Sequence, residues 1–274
     1  MGGRLADDLR AVRVVWQREV IGCLRNRPRM VIALLQPVTF LLLLGPGLAR
    51  IVPPSAAHID YRTFLFPGVL VMAVQFSAVS SGASIVWDRE MGFLREMLVA
   101  PVRRSALVVG KCLGGSTVAV IQGTIMLALA GLVDVPYEPG LLVTLVAGMA
   151  VTAFAMTAFG ALLATTVRRF ETFQVAMNFL VMPMFFLSGA MFPLSGLPRW
   201  LTALALLNPL TYAVDALRQA VFSHAATPHQ LTHALASGRA WGPWHLPAIV
   251  ELVVVALFAL GMLALASRQF CRPD

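Results

Sequence analysis

The chain has 274 residues, of which 58% are hydrophobic and only 12% charged, and its mean hydropathy is +0.80. Soluble domains carry charge on roughly a quarter of their residues, so this chain has too little charge to cover a surface that faces water. The composition excludes a soluble enzyme and indicates a protein embedded in lipid. The net charge of +8 does not indicate nucleic acid as a partner, because the basic residues lie at the ends of apolar blocks.

The first 29 residues predict an amphipathic helix at a membrane interface. Apolar residues recur there at spacings of three and four, at Leu5, Leu9, Val12, Trp16 and Val20, which places them on one helical face. Basic residues occupy the remaining faces, and a basic amphipathic helix with a tryptophan is typical of an interface. A flanking helix that only anchors the chain fits the same pattern.

Six apolar blocks are long enough to cross a bilayer, which takes about 20 residues of helix. They predict spans at 30–49, 64–87, 112–133, 141–167, 174–193 and 246–267. The stretch from Trp200 to Val214 is shorter and contains Asn208 and Pro209, so it predicts an interfacial or re-entrant segment. The predicted fold is therefore an all-α, six-span membrane domain at 30–267, followed by a tail at 268–274.

The distribution of basic residues predicts the orientation of the spans. Of the 21 Lys and Arg residues, 16 lie before the first span, in the loops after spans two and four, and in the tail. Loops rich in Lys and Arg stay in the cytoplasm, so both termini are expected there. Glu251, near the start of the sixth block, is expected at the opposite interface, within reach of water.

The loop after the second span predicts a short amphipathic helix from Asp88 to Leu98. Phe93, Leu94, Met97 and Leu98 share one helical face, and charged residues occupy another. Pro101 ends the helix, because proline lacks an amide hydrogen and disfavours helix at the preceding residue. The segment is either a solvated connector or a helix that docks a partner.

Three stretches resemble the ABC type-2 transporter permeases, in particular the branch that contains daunorubicin-resistance and nodulation-factor exporters. The first is Glu90-x-Gly92-x-Leu94-x-Glu96-x-Leu98-Val99-Ala100-Pro101-Val102, with Gly110-Lys111 after it, which resembles the cytoplasmic loop of that family. Residues 178–193 resemble its fifth span, and residues 207–212 with 215–218 resemble its outer segment before the last span. The three stretches occur in the family's order along nearly the whole chain.

The resemblance implies an export permease of the bacterial plasma membrane that does not hydrolyse ATP itself. Two copies of a separate cytoplasmic ATPase, with ATP and Mg on that subunit, would dock on a pair formed by this chain and a second copy or a paralogue. The residues expected to couple to the ATPase are Glu90, Gly92, Leu94, Glu96, Leu98, Pro101, Arg103 and Arg104. Those expected at an outer gate are Phe185, Phe186, Gly189, Met191, Phe192, Pro193, Asn208 and Pro209.

The sequence itself offers no site for a cofactor on this chain. Gly110-Lys111 is followed by Cys112, and Ser105 stands where a phosphate-binding loop has its first glycine. His229 and His233 have the spacing of a metal-binding pair, but a third ligand is not evident near His224, and no metal site is expected.

Three functions are compatible with the sequence. Export of hydrophobic or amphipathic molecules would suit a path rich in Met and Phe, whose side chains adapt to varied apolar shapes. That path would draw on Phe66, Phe76, Met177, Phe179, Met182, Phe185, Phe186 and Met191, although such residues also pack or face lipid without further function. Export of a lipid-linked glycan is the first alternative. An ion-coupled carrier or a non-transporting subunit is the second, disfavoured because spans one to five contain no charge.

Overall fold

A computed structural model of the chain describes residues 2–49, 61–92, 103–133, 135–192, 194, 198–224 and 247–271. Within these ranges the chain forms ten α-helices and one short 3₁₀ helix, Ala130–Val133, and no strand. The all-α class predicted from the apolar blocks is confirmed. In chain order the helices are α1 (Gly2–Arg25), α2 (Arg27–Ala49), α3 (Tyr61–Ser81), α4 (Ala83–Glu90), α5 (Arg104–Leu127), α6 (Pro139–Thr166), α7 (Phe170–Leu187), α8 (Arg199–Leu207), α9 (Pro209–His224) and α10 (Ala248–Cys271).

Five helical segments in the described ranges are long and apolar enough to cross a membrane, with α3 and α4 counted together as one segment. Two bent pairs of helices, α1 with α2 and α8 with α9, pass the same test when each pair is taken together. The range of five to seven includes the six predicted spans. The short stretch predicted as interfacial or re-entrant forms α8 and α9, which meet at 83°.

The core lies where α3, α5 and α6 pack together, with α10 against α6. Close approach of α3 and α6 depends on two glycines that face each other, Gly82 at the break between α3 and α4 and Gly160 on α6. A methyl group on Gly160 would lie 2.6 Å from the carbonyl oxygen of Val79, and one on Gly82 would meet the Gly160 backbone. Small residues at such a crossing let membrane helices pack closely through their backbones.

Helix α1 packs along the first half of α5. Gly110 and Gly114 form the contact surface on α5, where added methyl groups would lie 2.9 Å from Val15 Cβ and 2.6 Å from Glu19 Cβ. Two glycines four residues apart are a recurrent packing surface in membrane helices. The face of α1 that packs on α5 therefore includes Val15 and Glu19, whereas Leu9 from the predicted apolar face is exposed. Whether that exposed face lies in a membrane interface stays a prediction.

Candidate functional site

Four charged side chains form a network where α1, α4 and α5 meet. Lys111 Nζ lies 2.6 Å from Asp88 Oδ2 and 3.1 Å from Glu19 Oε1, and Arg18 Nη2 lies 2.7 Å from Asp88 Oδ1. The side chains of Lys111 and Asp88 are only 5% and 4% exposed. Lys111 also donates to Ser84 Oγ at 3.0 Å. Buried charges are tolerated when they are paired and hydrogen-bonded, and these two are.

The sequence predicts Asp88 on the charged face of the loop helix and Lys111 in the loop after the second span. The structure buries both side chains, because each finds its partner inside the helix bundle. The available signal was the Gly110–Gly114 spacing, which indicates a close helix contact on the turn of α5 that carries Lys111. The network joins the two helices, α4 and α5, that flank the predicted coupling segment.

Glu90, a predicted coupling residue, is bound within the chain. Its Oε1 accepts a hydrogen bond from the Phe170 backbone N–H at 2.9 Å, so the carboxylate satisfies a free amide at the N-terminus of α7. Arg89 donates to the Val167 carbonyl at 3.3 Å, and the Trp87 ring lies edge-on to Phe170 at 5.6 Å. The end of α4 is thereby fastened to the connection between α6 and α7.

The remaining coupling residues divide between described and undescribed parts of the chain. Gly92 has a φ of +79°, in the left-handed region that glycine adopts readily. Arg103 precedes α5, and its backbone N–H and its side chain both contact the Asp8 carboxylate, at 3.1 and 3.4 Å. Arg104 is the first residue of α5. Leu94, Glu96, Leu98 and Pro101 lie outside the described residues, so their part in a coupling helix stays a prediction.

The aromatic residues of the predicted outer gate lie in different environments. Phe185 is 1% exposed and packs edge-on against Phe40 and Phe186, with ring centroids 6.5 and 5.7 Å apart. Phe186 and Phe192 are 42% and 41% exposed, and Met191 is half-buried. Pro193 lies outside the described residues. Phe185 and Phe186, adjacent residues of the predicted gate, are thus a core side chain and an exposed side chain.

A tight turn follows α7 at Gly189. Its φ of +73° requires the left-handed region, and a methyl group there would lie 2.9 Å from Leu194 Cγ. The carbonyl of Gly189 accepts a hydrogen bond from Arg218 Nη2 at 2.7 Å, and the Arg218 guanidinium stands 4.1 Å from the centroid of the Phe64 ring. Arg218 is buried, and it connects α9, α3 and this turn. We call residues 188–192 the outer turn.

Asn208 fixes the bend between α8 and α9 onto α7. Its Nδ2 donates to the Met184 carbonyl at 2.5 Å, and its Oδ1 accepts from the Leu210 N–H at 3.1 Å. Pro209 begins α9 and is buried. The fixed φ of proline suits the first turn of a helix, where its missing amide hydrogen has no partner in any case. Both residues therefore shape the outer segment, as contacts within one chain.

Glu251 is fully buried rather than within reach of water, which corrects the sequence-based expectation. The side chain points to α9, where its Oε2 accepts a hydrogen bond from Gln219 Nε2 at 3.1 Å. Buried acids in membrane segments are costly and mark functional sites more often than surface acids do. A carboxylate with polar partners therefore lies inside the bundle formed by α9 and α10.

A cavity of about 570 Å³ lies between α1, α2, α3, α4, α5 and α7, next to the charged network. Two of the predicted path residues, Phe76 and Met177, line it, whereas Phe66 is buried in the core and Phe179 is exposed. Polar side chains form part of the remaining wall, and the apolar blocks of the sequence did not indicate them. The polar lining residues on α2, α3, α4 and α5 are Gln36, Ser77, Ser80, Ser81, Ser84, Asp88 and Gln122.

The histidines add no site in the part of the chain that the structure describes. His224 Nδ1 lies 3.0 Å from both the Ala220 carbonyl and Ser223 Oγ at the end of α9. His229 and His233 lie outside the described residues. Within those residues, no three His, Cys, Asp or Glu side chains are grouped so that they could hold a metal ion.

Apolar helices long enough to span a bilayer, packed around a cavity with both apolar and polar side chains in its wall, define a multi-pass membrane protein. The chain belongs to the ABC-2 type transporter family, whose membrane-domain model matches residues 10–222. This agrees with the resemblance stated from the loop and outer-segment motifs. The narrower assignment to the daunorubicin-resistance branch stays a prediction.

Curated relatives carry names of transport permeases. The chain is 29% identical over 209 residues to the transport permease ycf38 of Cyanophora paradoxa, covering 74% of this chain and 71% of that protein. It is 23% identical over 209 residues to the inner membrane transport permease YadH of Escherichia coli (strain K12), covering 76% and 81%. YbhR of the same strain, named as a multidrug ABC transporter permease, is 26% identical over 171 residues, covering 62% and 46%. The chain is therefore a membrane permease of the ABC transporter class.

Proposed function

We propose that the chain is the permease subunit of an ATP-driven exporter that moves hydrophobic or amphipathic molecules out of the cytoplasm or the inner leaflet. ATP and Mg bind to a separate cytoplasmic ATPase, present in two copies. The observation that carries the proposal is the buried Lys111–Asp88 pair. It joins α4 and α5, the helices on either side of the predicted coupling segment, and Arg18 and Glu19 of α1 bind the same pair. A force on the coupling segment would therefore act on α1, α4 and α5 together.

The contacts of α4 extend the same path to α7. Glu90 and Arg89 bind the backbone of Phe170 and Val167, and α7 contributes Met177 to the cavity wall. Movement of the coupling segment would therefore change the cavity directly. This arrangement favours a permease whose cavity is opened and closed by an external ATPase.

A second permease, identical or paralogous, is expected on the outer face of α7. Asn178 is exposed there, between the exposed residues Val175 and Phe179. An amide that faces hydrocarbon without a partner costs free energy, and polar side chains commonly hydrogen-bond across membrane helices. A partner permease on this face would satisfy the amide, and the pair would carry one ATPase on each half. The proposed location is the bacterial inner membrane, with both termini in the cytoplasm.

Export of a lipid-linked glycan is a second candidate, favoured by the hydroxyl groups along one wall of the cavity. Ser77, Ser80, Ser81 and Ser84 all line it, together with two glutamines. Such a wall can hydrogen-bond a sugar head through the Ser77 hydroxyl and the glutamine amides. Ser80, Ser81 and Ser84 already have partners within the chain.

The test is to purify the tagged chain from its native host with the ATPase that accompanies it, and to reconstitute the complex in liposomes. We expect ATP hydrolysis that candidate amphiphiles stimulate, transport that stops without ATP, and no hydrolysis by the chain alone. Transport that continues without ATP and follows a proton or sodium gradient would instead establish an ion-coupled carrier. An ATPase that accompanies the chain but never responds to any amphiphile or glycoconjugate would contradict export of this class of molecule.

A further inference from the structure

The cavity between α1, α2, α3, α4, α5 and α7 has the size of a small-molecule site. Its volume of about 570 Å³ falls within the usual range of ligand pockets, roughly 300–1,000 Å³. Apolar side chains from three helices, Phe76, Val118 and Met177, form part of the wall. This part can hold a hydrocarbon portion of a ligand.

The polar part of the wall contains hydrogen-bonding groups that the protein leaves without partners. Gln122 is only 4% exposed and lines the cavity, yet its amide makes no hydrogen bond to the residues that the structure describes. The hydroxyl of Ser77, also buried, makes none within the same ranges. Buried polar side chains are nearly always hydrogen-bonded, to protein or to ordered water, so these two groups are available to a polar molecule inside the cavity.

The charged groups at the cavity compensate one another. Arg18, Glu19 and Asp88 line one end, and Lys111 binds both acids from behind. Two positive and two negative side chains are thus joined by contacts of 2.6 to 3.1 Å. A charged head group would find no unpaired opposite charge here. The free-energy cost of removing it from water would therefore not be offset.

We propose that this cavity binds an uncharged amphiphile whose head carries hydroxyl or amide groups. The head hydrogen-bonds Gln122 and Ser77, and the apolar part packs on Phe76, Val118 and Met177. As a site for transported cargo it deepens, and rests on, the proposed function. A resident membrane lipid with the same head chemistry would use the same contacts, and the experiment separates the two sources.

Cys23 provides a reporter, because it lines the cavity and is partly exposed, whereas Cys112 is buried. The chain has three cysteines, so Cys112→Ser with Cys271→Ser leaves Cys23 alone. Membrane fragments of this variant are treated with a maleimide in the presence of octyl glucoside, octyl sulfate or octyltrimethylammonium, each below its micelle-forming concentration. We expect only the glucoside to slow labelling, by about twofold at half-saturation because half of the sites are then occupied.

Gln122→Leu is expected to weaken the protection by about fivefold to tenfold, the size of one net hydrogen bond. Ser77→Ala is expected to have a similar, smaller effect. Thr124→Val is the matched control, because Thr124 lies on the same helix but is exposed and bonded to the Val120 carbonyl. Equal protection by all three octyl compounds, or protection that Gln122→Leu leaves intact, overturns the proposal. So does the absence of any protection, which would mean that water alone fills the cavity.

Hydrolysis of ATP by the reconstituted complex distinguishes the source of the ligand. Stimulation by octyl glucoside that Gln122→Leu removes identifies a cargo site. Protection of Cys23 without stimulation supports the binding site and assigns it to a resident lipid. The binding result therefore stands or fails independently of the proposed export function.

Discussion

Lys111 Nζ and Asp88 Oδ2 are 2.6 Å apart in the interior of the bundle, although 23 residues separate them along the chain. The stretch between them contains the predicted coupling residues, of which Leu94, Glu96, Leu98 and Pro101 lie outside the described residues. Asp88 is held by two bases and Lys111 by two acids. These ion pairs therefore hold the two ends of the predicted coupling segment in place, independently of any partner that the segment binds.

Loss of one charge from this pair is expected to destabilise the fold. Lys111→Met leaves two acids facing one arginine, and removal of one member of a buried pair costs about 3–5 kcal/mol. We expect a lower Tm in detergent and reduced abundance in the membrane. The double variant Asp88→Asn with Lys111→Met restores the charge balance and should recover much of the stability.

Arg103→Gln is the control for that series, because Arg103 also pairs with an acid but its side chain is 69% exposed. Exposed pairs contribute about 0–1 kcal/mol, so its Tm should stay close to that of the unmodified chain. Equal losses for Lys111→Met and Arg103→Gln would show that burial of the Lys111 pair has no energetic consequence.

The two acids of the coupling motif are expected to differ in their roles. Glu90→Gln should keep capture of the ATPase near its normal level, because an amide oxygen can still accept from the Phe170 N–H. Glu96→Lys is expected to weaken capture by about tenfold or more, since truncating a buried interface charge pair costs about 2–5 kcal/mol. Pull-down of the ATPase at equal membrane abundance measures both. Loss of capture in Glu90→Gln would assign its carboxylate to the partner.

Glu90→Lys should fail for a further reason, because it removes the acceptor at the start of α7. The loss of such a cap costs about 1 kcal/mol, and the connection of α4 to α7 is lost with it. We therefore expect uncoupled ATP hydrolysis without transport, in a chain that still inserts. Normal transport by both charge reversals would mean that the loop is only a connector.

Adjacent phenylalanines at the outer end of α7 are expected to respond differently to truncation. Phe185→Ala removes a buried ring that packs on Phe40, and such cavities cost about 3–5 kcal/mol. Phe186→Ala removes an exposed ring, so stability should change little while transport or stimulated ATP hydrolysis changes. Tm and transport are measured for each. Unchanged transport in Phe186→Ala would assign that ring to lipid.

Gly189→Ala is expected to distort the outer turn. A left-handed conformation costs a residue with a Cβ about 1–2 kcal/mol, and the added methyl group meets Leu194. Gly261→Ala is the matched control, because no atom lies within 4 Å of the position where its Cβ would stand. We expect reduced transport only in the first variant. Equal behaviour of the two would remove the outer turn from the mechanism.

Glu251→Gln tests the ion-coupled alternative at the buried carboxylate of α10. The substitution keeps the size and an acceptor for Gln219 but removes the ionisable group. If ATP drives transport, the reconstituted variant should transport near its normal rate, and a protonophore should not change the rate of either protein. Loss of transport in the variant, together with sensitivity of the unmodified protein to the protonophore, would favour a carrier.

The sequence predicted those parts of the fold that depend on where apolar blocks begin and end along the chain. Charge-free blocks place α6 and α10 within two residues of their observed starts, Pro139 and Ala248, because a bilayer requires long apolar helices. Helix α5 begins at Arg104, before the predicted start of the third span at residue 112. It therefore includes Lys111, which binds two acids within the bundle. Block length alone cannot reveal such a partner.

The sequence could not show which side chains of each helix face a neighbouring helix. Phe185 and Phe186 have identical side chains and neighbouring numbers, but only Phe185 is a core residue, with Phe40 of α2 packed against it. Glu251 was expected near water because it lies near the start of its block, yet it faces Gln219 of α9. Glu90 was predicted to bind a partner, which stays a prediction, and the sequence did not show that its carboxylate caps a helix 80 residues away. Each difference depends on which helices are neighbours.

The attachment of Glu90 to Phe170 has a consequence for the opposite surface of the molecule. Helix α7 begins at that attachment and ends at the turn held by Arg218. Its 18 residues, with Pro183 one turn before the end, form a rod about 27 Å long, at 1.5 Å per residue. A rotation of about 5° around the middle of such a rod displaces each end by about 1 Å in opposite directions, given that length. Mechanical work at one end of α7 can thus separate side chains at the other end. Met177, which lines the cavity, lies close to the middle of the helix, so the cavity wall would rotate with it.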